Sequence, residues 1–279
     1  MEARNVLMLA GREARESVKN KWFVLYTISF SALAVLILAI SPEKGALTEG
    51  AGYGRTAASL INLVLLFVPL VSLITGSGAI SGERENGTLQ YLLSHPVTKA
   101  EVFAGKFVGI FIPICLSISL GFGLAGVGAA LRGGGGDASG FITTALLSAL
   151  LAASLLSVGL LVSVYSRKAS RATGIAVFLW LVFIILGDLG VMGTAAAMEL
   201  GIRQVFVLAL LNPAEVFKIA SVLALSPRYE ILGPVGVYAV RTFGREGMVL
   251  LLMSIMALWT IAPFALALAS FSIFRREEP

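Results

Sequence analysis

Six long apolar runs constrain this chain more than any other feature of its sequence. A run of about 18 apolar residues or more is long enough to cross the hydrocarbon core of a bilayer as a helix. The six predicted spans are, in chain order, approximately Trp22–Ile40, Ala57–Ile80, Phe107–Leu131, Phe141–Tyr165, Ala172–Gly193 and Met248–Phe274. In 279 residues they leave no room for a separate soluble domain. We therefore expect an all-α polytopic membrane protein with one transmembrane domain, residues 1–279.

The composition agrees with that expectation. Hydrophobic residues make up 57% of the chain and charged residues only 13%, against about 25% charged residues in soluble domains. The first apolar run resembles a signal peptide only superficially. Its charged leader is too long, and no A-x-A-like cleavage site follows. We expect it to be a retained helix.

The net charge of +5 follows the predicted topology and does not indicate a nucleic-acid-binding surface. Basic residues in short loops mark the cytoplasmic side of a membrane protein. With both termini in the cytoplasm, the cytoplasmic segments carry Arg4, Arg12, Arg15, Lys19, Lys21, Arg84, Lys99, Lys106, Arg167, Lys168, Arg171, Arg275 and Arg276. The two short outer loops carry only Lys44, Arg55 and Arg132. We expect a protein of the cytoplasmic (inner) membrane with cytoplasmic N- and C-termini.

The leader, residues 2–21, has the pattern of an amphipathic helix. Its apolar positions recur at helical spacing, with Arg and Glu on the opposite face: Ala3, Val6, Leu7, Ala10, Ala14 and Val18. A basic amphipathic helix just before a span is typical of a helix lying in the membrane interface. The alternative is a basic leader that is merely solvated.

A polar insert, residues 81–106, separates the second apolar run from the third, and we call it the polar segment. Thr88 to Leu93 can form a short helix, which His95 and Pro96 interrupt. Thr98 and Glu101 are spaced as a capping box that opens the next helix. The pattern predicts a short helix crossing the cytoplasmic face, able to transmit the displacement of a docked protein. The alternative is an ordinary loop between helices.

A second unusual stretch, residues 194–247, precedes the last span on the extracytoplasmic side. Asn212 is a predicted N-cap, Pro213 suits the first helical position and Glu215 suits the first turn. The preceding apolar run, Val205–Leu211, is too short to cross a bilayer. We therefore predict two short outer helices here instead of a seventh span.

The side chains that catalysis requires are scarce. The chain has one histidine, one cysteine and two aspartates, and it contains no H-E-x-x-H, C-x-x-C or G-x-S-x-G motif. Gly105-Lys106 lacks the upstream glycine of a nucleotide-binding loop. We predict no catalytic residue, no metal site and no cofactor bound by this chain. Any ATP-driven step would depend on another chain.

Several motifs are shared with a known family. They are Gly11-Arg12-Glu13 with Asn20-Lys21-Trp22, Arg55 to Leu63 (RTAASLINL), Gly82-Glu83-Arg84-Glu85, Gly87-Thr88-Leu89, Leu92-Leu93, Pro96-Val97, Gly105-Lys106-Phe107, Asn212-Pro213 and Arg241-Thr242-Phe243-Gly244. With the order of helices, these motifs resemble the ABC-2 type permeases that have the type V exporter fold. Within that group the chain most resembles the NosY-type permeases, the membrane subunit of the ABC system used in nitrous oxide reductase maturation.

The resemblance implies partners and roles for particular residues. Two copies of the chain would pair, each driven by a cytoplasmic ATPase that holds the ATP and Mg²⁺. The ATPase would be bound through the polar segment at Gly82, Glu83, Arg84, Glu85, Gly87, Thr88, Leu89 and Pro96. A periplasmic β-helical protein would dock on residues 194–247, near Asn212, Pro213 and Glu215. The cargo would be a sulfur species or serve copper-site assembly.

Two questions stay open at the level of sequence. Asp188 lies within the fifth apolar run, where an ionisable group usually faces a partner or a water-filled cavity. It is either a polar point on the transport path or an interfacial residue just beyond the span. The function also has alternatives: an ABC exporter of a drug, lipid or peptide, or a secondary transporter that works without ATP.

Overall fold

The computed structural model describes residues 3–40, 51–131, 138–187, 201–225 and 233–273, and within these ranges every regular element is a helix. In chain order the helices are α1 (Ala3–Lys19), α2 (Lys21–Ile40), α3 (Ala51–Glu85), α4 (Thr88–Leu93), α5 (Lys99–Leu131), α6 (Ala138–Tyr165), α7 (Ala169–Leu181, continued by a π-helical turn, Val182–Leu186), α8 (Ile202–Leu210), α9 (Pro213–Leu225) and α10 (Gly233–Ile273).

The predicted spans correspond to long apolar helices. Five helices, α2, α3, α5, α6 and α10, are long and apolar enough to cross a membrane, and the count becomes six if the bent pair α8 and α9 is one span. The fifth predicted span, Ala172–Gly193, begins within α7, a shorter apolar helix, and is described as far as Gly187. The 19 helical residues from Ala169 to Gly187 correspond to roughly 28 Å at 1.5 Å per residue. The all-helical, polytopic membrane architecture is confirmed.

The polar segment and the C-terminal ends of α6 and α10 define one end of the bundle, which we call the near end. The helices α8 and α9 lie at the opposite, far end, where they meet at an angle of 107°. The prediction of two short helices in place of a straight span is therefore confirmed. The sequence pattern did not predict a third helix at this end. It is the first part of α10, which begins at Gly233 and runs to a break at Gly244, where φ is 70°.

The central helix of the bundle is α6, the most buried of the five candidate spans. It crosses α3 with the two backbones in close contact at Gly76 and Gly159. A methyl group on Gly76 would lie 2.8 Å from the Leu156 carbonyl oxygen, and one on Gly159 would lie 2.7 Å from the Leu73 carbonyl oxygen. In lipid, such close packing of backbones replaces the hydrophobic drive that brings helices together in water.

A cluster of aromatic rings joins α2, α3 and α5. Phe30 is buried and lies beside the rings of Tyr26, Phe67 and Phe122, with centroids 6.1 to 6.5 Å apart. Its ring packs directly on Gly121, where no side chain could be accommodated. The glycine therefore makes room for the ring that fixes α2 against the bundle.

The crossing of α3 and α6 provides a test with a matched control in the same helix. Gly76→Ala should destabilise the protein by about 1–3 kcal/mol, because the methyl group overpacks a rigid backbone contact. Gly78→Ala should be neutral or slightly stabilising, since open space surrounds Gly78. Thermal unfolding of the purified protein in detergent measures both. Equal melting temperatures for the two variants would contradict the described crossing.

Candidate functional site

The polar segment reverses the chain between α3 and α5 through backbone geometry that its residues require. The helix α3 ends at Glu85, and Gly87 has a φ of 72°, in the left-handed region that glycine tolerates best. The short helix α4 follows, as predicted. The capping box is also confirmed: the Thr98 amide donates to Glu101 Oε2 (2.9 Å), and the Glu101 amide donates to Thr98 Oγ1 (3.3 Å).

A buried lysine connects three elements at this end of the bundle. The side chain of Lys106, on α5, is 2% exposed. Its Nζ lies 2.6 Å from Glu13 Oε1 on α1 and 2.8 Å from Glu83 Oε1 on α3. Both carboxylates are themselves mostly buried. The contact joins the N-terminal helix, the start of the polar segment and the third predicted span in one ionic cluster.

This cluster contains two carboxylates for one ammonium group. Glu83 Oε2 is buried and, among the described residues, has no hydrogen-bond partner. Burial raises the pKa of Glu13, and the nearby Lys106, which lowers it, only partly offsets that effect. Because a buried charge is costly unless it is paired, Lys106 is the group on which both carboxylates depend.

The N-terminal helix is held against α5 by close packing as well as by charge. A methyl group on Gly105 would lie 2.6 Å from Leu9 Cβ, and one on Gly109 would lie 2.6 Å from the Ala10 carbonyl oxygen. These two glycines, four residues apart, form one small-residue face that lets the helices approach. The predicted leader helix is therefore present, and it packs on the bundle beside the polar segment.

The other charged residues of the Gly82–Glu85 motif bind the ends of neighbouring helices. Arg84 Nη1 donates to the carbonyl oxygens of Val164 (3.0 Å) and Ser166 (2.9 Å), where α6 ends. Glu85 Oε2 accepts a hydrogen bond from the Ala169 amide (2.8 Å), where α7 begins. A cation at a helix C-terminus and an anion at an N-terminus each satisfy unpaired backbone groups and suit the helix dipole.

Lys99, at the start of α5, binds the C-terminal end of α10 as Arg84 binds that of α6. Lys99 Nζ donates to the carbonyl oxygens of Phe271 (3.3 Å) and Ser272 (2.8 Å). It also lies 5.9 Å from the centroid of the Phe271 ring. The polar segment is thus bonded to α1, α6, α7 and α10, and none of these contacts is local in sequence.

The surface that the polar segment leaves open is formed by α4 and the turn after it. Its exposed residues are Thr88, Gln90, Tyr91, Ser94, His95 and Pro96. Tyr91 is 71% exposed, and its ring meets that of His95 edge to face, 5.0 Å apart. Leu89, by contrast, is buried. An exposed aromatic side chain held by a neighbouring ring is a common anchor at protein interfaces.

The structure therefore divides the eight predicted ATPase-binding residues into two groups. Glu83, Arg84 and Glu85 bind their own chain, and Leu89 packs into the core. Gly87, Thr88 and Pro96 are exposed, while Gly82 is partly exposed with open space around it. The binding role predicted for these residues stays a prediction. Sequence reasoning missed the contacts of Glu13, Lys99 and Lys106, although Lys106 at the border of an apolar run was a signal.

The residues predicted to dock a partner at the far end also contact their own chain. Asn212 and Pro213 begin α9 as predicted, with the Ala214 amide donating to Asn212 Oδ1 (2.9 Å). Pro213 is buried, and Glu215 lies 3.7 Å from Lys218 Nζ with 14% of its side chain exposed. The docking role stays a prediction. Asp188 lies outside the described residues.

No group of three or more His, Cys, Asp or Glu side chains suited to a metal ion occurs in the described part of the chain. The charged side chains of the polar segment are engaged in ion pairs and helix caps. Their arrangement can hold helix ends together and transmit displacement between them.

Replacing the buried lysine should be costly, because it leaves two carboxylates facing each other. Lys106→Met should destabilise the protein by roughly 3–5 kcal/mol, as for other buried ion pairs that lose one partner. The triple variant with Glu13→Gln and Glu83→Gln should recover most of that loss, since no buried charge remains. Thermal unfolding in detergent compares the three proteins. A Lys106→Met variant as stable as the parent would contradict the cluster.

The raised pKa of Glu13 predicts how stability depends on pH. At a pH just above 4.5, the ordinary pKa of this carboxyl, Glu13 of the folded chain keeps a proton that Glu13 of the unfolded chain has lost. The contribution of Glu13 to stability is therefore greatest below pH 4.5 and is lost as the pH rises through the folded-state pKa. Glu13→Gln should flatten this decline while keeping the Lys106–Glu83 pair. Melting temperatures from about pH 4.5 to neutrality measure it, and the same slope in both proteins would contradict the assignment.

Known proteins resemble this chain over most of its length. The sequence matches the family described as ABC-2 family transporter protein over residues 7–278. It is 28% identical over 217 residues to the "Probable ABC transporter permease protein NosY" of Stutzerimonas stutzeri, covering 76% of this chain and 79% of that protein. The protein of the same name from Pseudomonas aeruginosa is 28% identical over 226 residues, covering 77% and 80%. The chain belongs to the ABC-2 transporter family and is the multi-pass membrane permease subunit of an ABC transporter.

Proposed function

We propose that this chain is one half of a homodimeric ABC exporter of the cytoplasmic membrane, with both termini in the cytoplasm. A separate ATPase chain binds the polar segment from the cytoplasm and supplies the energy. Two features support this proposal: the bias of basic residues towards the loops at the near end, and the short helix α4, which lies at that end with an exposed face.

The observation that carries the proposal is the set of long-range contacts made by the polar segment. Through Lys106 it is bonded to α1, through Arg84 to the end of α6, and through Lys99 to the end of α10. A displacement of α4 by a docked protein would therefore reach helices on several sides of the bundle together. Ordinary loops between spans do not need this many bonded helix ends.

We propose a revised division of labour within the polar segment. The exposed side chains of Tyr91, His95 and Pro96 bind the ATPase. Glu83, Arg84 and Glu85, which the resemblance assigned to ATPase binding, instead transmit its movement to the spans. Exposure and bonding support this division. Tyr91 is 71% exposed, whereas the Glu83 side chain is 15% exposed. Glu85 is exposed but accepts a hydrogen bond from the Ala169 amide at the start of α7.

The cargo and the outer partner are proposed from the resemblance to NosY-type permeases. The transporter would serve nitrous oxide reductase maturation, moving a sulfur species or a copper-related cargo outward along the dimer interface. One histidine and one cysteine in the whole chain argue against a copper path lined by imidazole and thiolate ligands. A periplasmic β-helical protein would bind the exposed apolar side chains of α8, among them Ile202 and Val207.

Two variants separate binding of the ATPase from transmission. Tyr91→Ala should weaken co-purification of the ATPase from native membranes by tenfold or more, on the order of an interface hot spot. Glu83→Ala with Arg84→Ala should keep the ATPase bound but uncouple ATP turnover from transport. Phe243→Ala, an exposed aromatic residue at the far end, is the matched control and should retain the ATPase.

Three results would contradict the proposal in different ways. If Tyr91→Ala retained the ATPase as well as Phe243→Ala does, α4 would not be its binding surface. If the Glu83 and Arg84 double variant lost the ATPase, those residues would belong to the interface. If no ATPase accompanied the folded, dimeric parent protein, the ATP-driven assignment itself would fail.

A further inference from the structure

The side chain of Asn212 makes two bonds with different chemistry. Its carbonyl oxygen, Oδ1, accepts from the Ala214 amide at 2.9 Å and caps α9. Its amide nitrogen, Nδ2, donates to the Phe183 carbonyl oxygen at 2.6 Å. The first bond is local, but the second joins residues 29 positions apart. One side chain therefore starts α9 and fastens it to the end of α7.

The acceptor of the second bond lies in the π-helical turn Val182–Leu186. A π turn carries one more residue per hydrogen-bonded ring than an α turn, and such turns recur at functional sites. Gly187 follows it directly, and a methyl group there would collide with the Asn212 amide. The space for the Asn212 side chain thus depends on a glycine in the neighbouring helix.

The opposite end of α9 is fastened in a similar way. Arg245 Nη2 donates to the Leu223 carbonyl oxygen at 3.0 Å. Arg245 directly follows Gly244, the break in α10. Between its two ends, α9 buries apolar residues such as Val216 and Phe217. Polar bonds at both ends, one of them to a π turn, therefore set the position of the bent pair α8–α9.

We propose that Asn212 is a positioning residue for transport: its bond to the Phe183 carbonyl keeps the far end of the bundle closed, and release of that bond lets α8 and α9 move as a unit. The inference rests on the proposed function only in requiring ATP-driven transport, and it is independent of cargo. A neutral hydrogen bond suits this role, because it can break and re-form without uncovering a charge in the membrane.

Substitutions at Asn212 and Gly187 separate the bond to the Phe183 carbonyl from the cap on α9. Asn212→Asp keeps an oxygen that caps α9 but replaces the donor with a carboxylate oxygen facing the Phe183 carbonyl. Asn212→Ser keeps a capping oxygen on a shorter side chain and adds no charge. Gly187→Ala displaces the Asn212 amide from the other side without changing it. Gly174→Ala, in the same helix with open space around it, is the control.

The measurement is hydrogen–deuterium exchange on the transporter purified with its ATPase, with and without ATP. In the parent protein, amides near the start of α9 should exchange roughly five- to tenfold faster during ATP turnover, the effect of losing about one hydrogen bond. In Asn212→Asp, Asn212→Ser and Gly187→Ala they should already exchange at the faster rate without ATP. Gly174→Ala should behave as the parent.

Three outcomes would overturn the proposal and leave the proposed function intact. The first is exchange in α9 that does not change with ATP in a parent protein whose ATPase is turning over. The second is a Ser or Asp variant that still responds to ATP as the parent does. The third is faster exchange throughout all spans in these variants, because Asn212 would then support the whole fold and not one position.

Discussion

The near end of this permease depends on one buried ammonium group. Lys106 is 2% exposed and holds two carboxylates that come from α1 and α3. Without this cation, the two buried carboxylates would have no charged partner in the cluster, and such burial is costly. The position of the N-terminal helix relative to the polar segment therefore follows from an electrostatic requirement, reinforced by the close contact of α1 with Gly105 and Gly109.

The remaining charges of the polar segment follow from a second constraint, the backbone groups at helix ends. The last carbonyls and first amides of a helix lack partners within it. Arg84, Glu85 and Lys99 supply such partners at the ends of α6, α7 and α10. The bonds that stabilise these helix ends are also those that would carry movement from α4 into the bundle.

Local features of the fold were predictable from the sequence, because the residues that cause them lie close together in the chain. The apolar runs predict the spans, Thr98 and Glu101 predict a capping box, and Asn212 with Pro213 predicts a helix start. The long-range partners were not predictable. Nothing in the spacing of Glu83 and Lys106 indicates that Glu13 completes their cluster, since that contact exists only once α1 packs on α5.

The same limit applies to the Gly82–Glu85 motif. Charged residues in a loop between spans usually face water, and only the neighbouring ends of α6 and α7 show that Arg84 and Glu85 also bond to their own chain. Likewise, the glycines that permit close crossing, Gly76 and Gly159, are ordinary glycines in the sequence. Their importance depends on which helices cross there.

The most direct test of this account is a photo-crosslinking side chain placed at position 91 of the full-length protein in native membranes. Mass spectrometry then identifies the adducts. The account predicts a covalent adduct with a P-loop ATPase at this position, and none from the same probe at position 243. An ATPase adduct that is absent at position 91, or equally strong at position 243, would contradict the claim that α4 is where ATP hydrolysis is coupled to this permease.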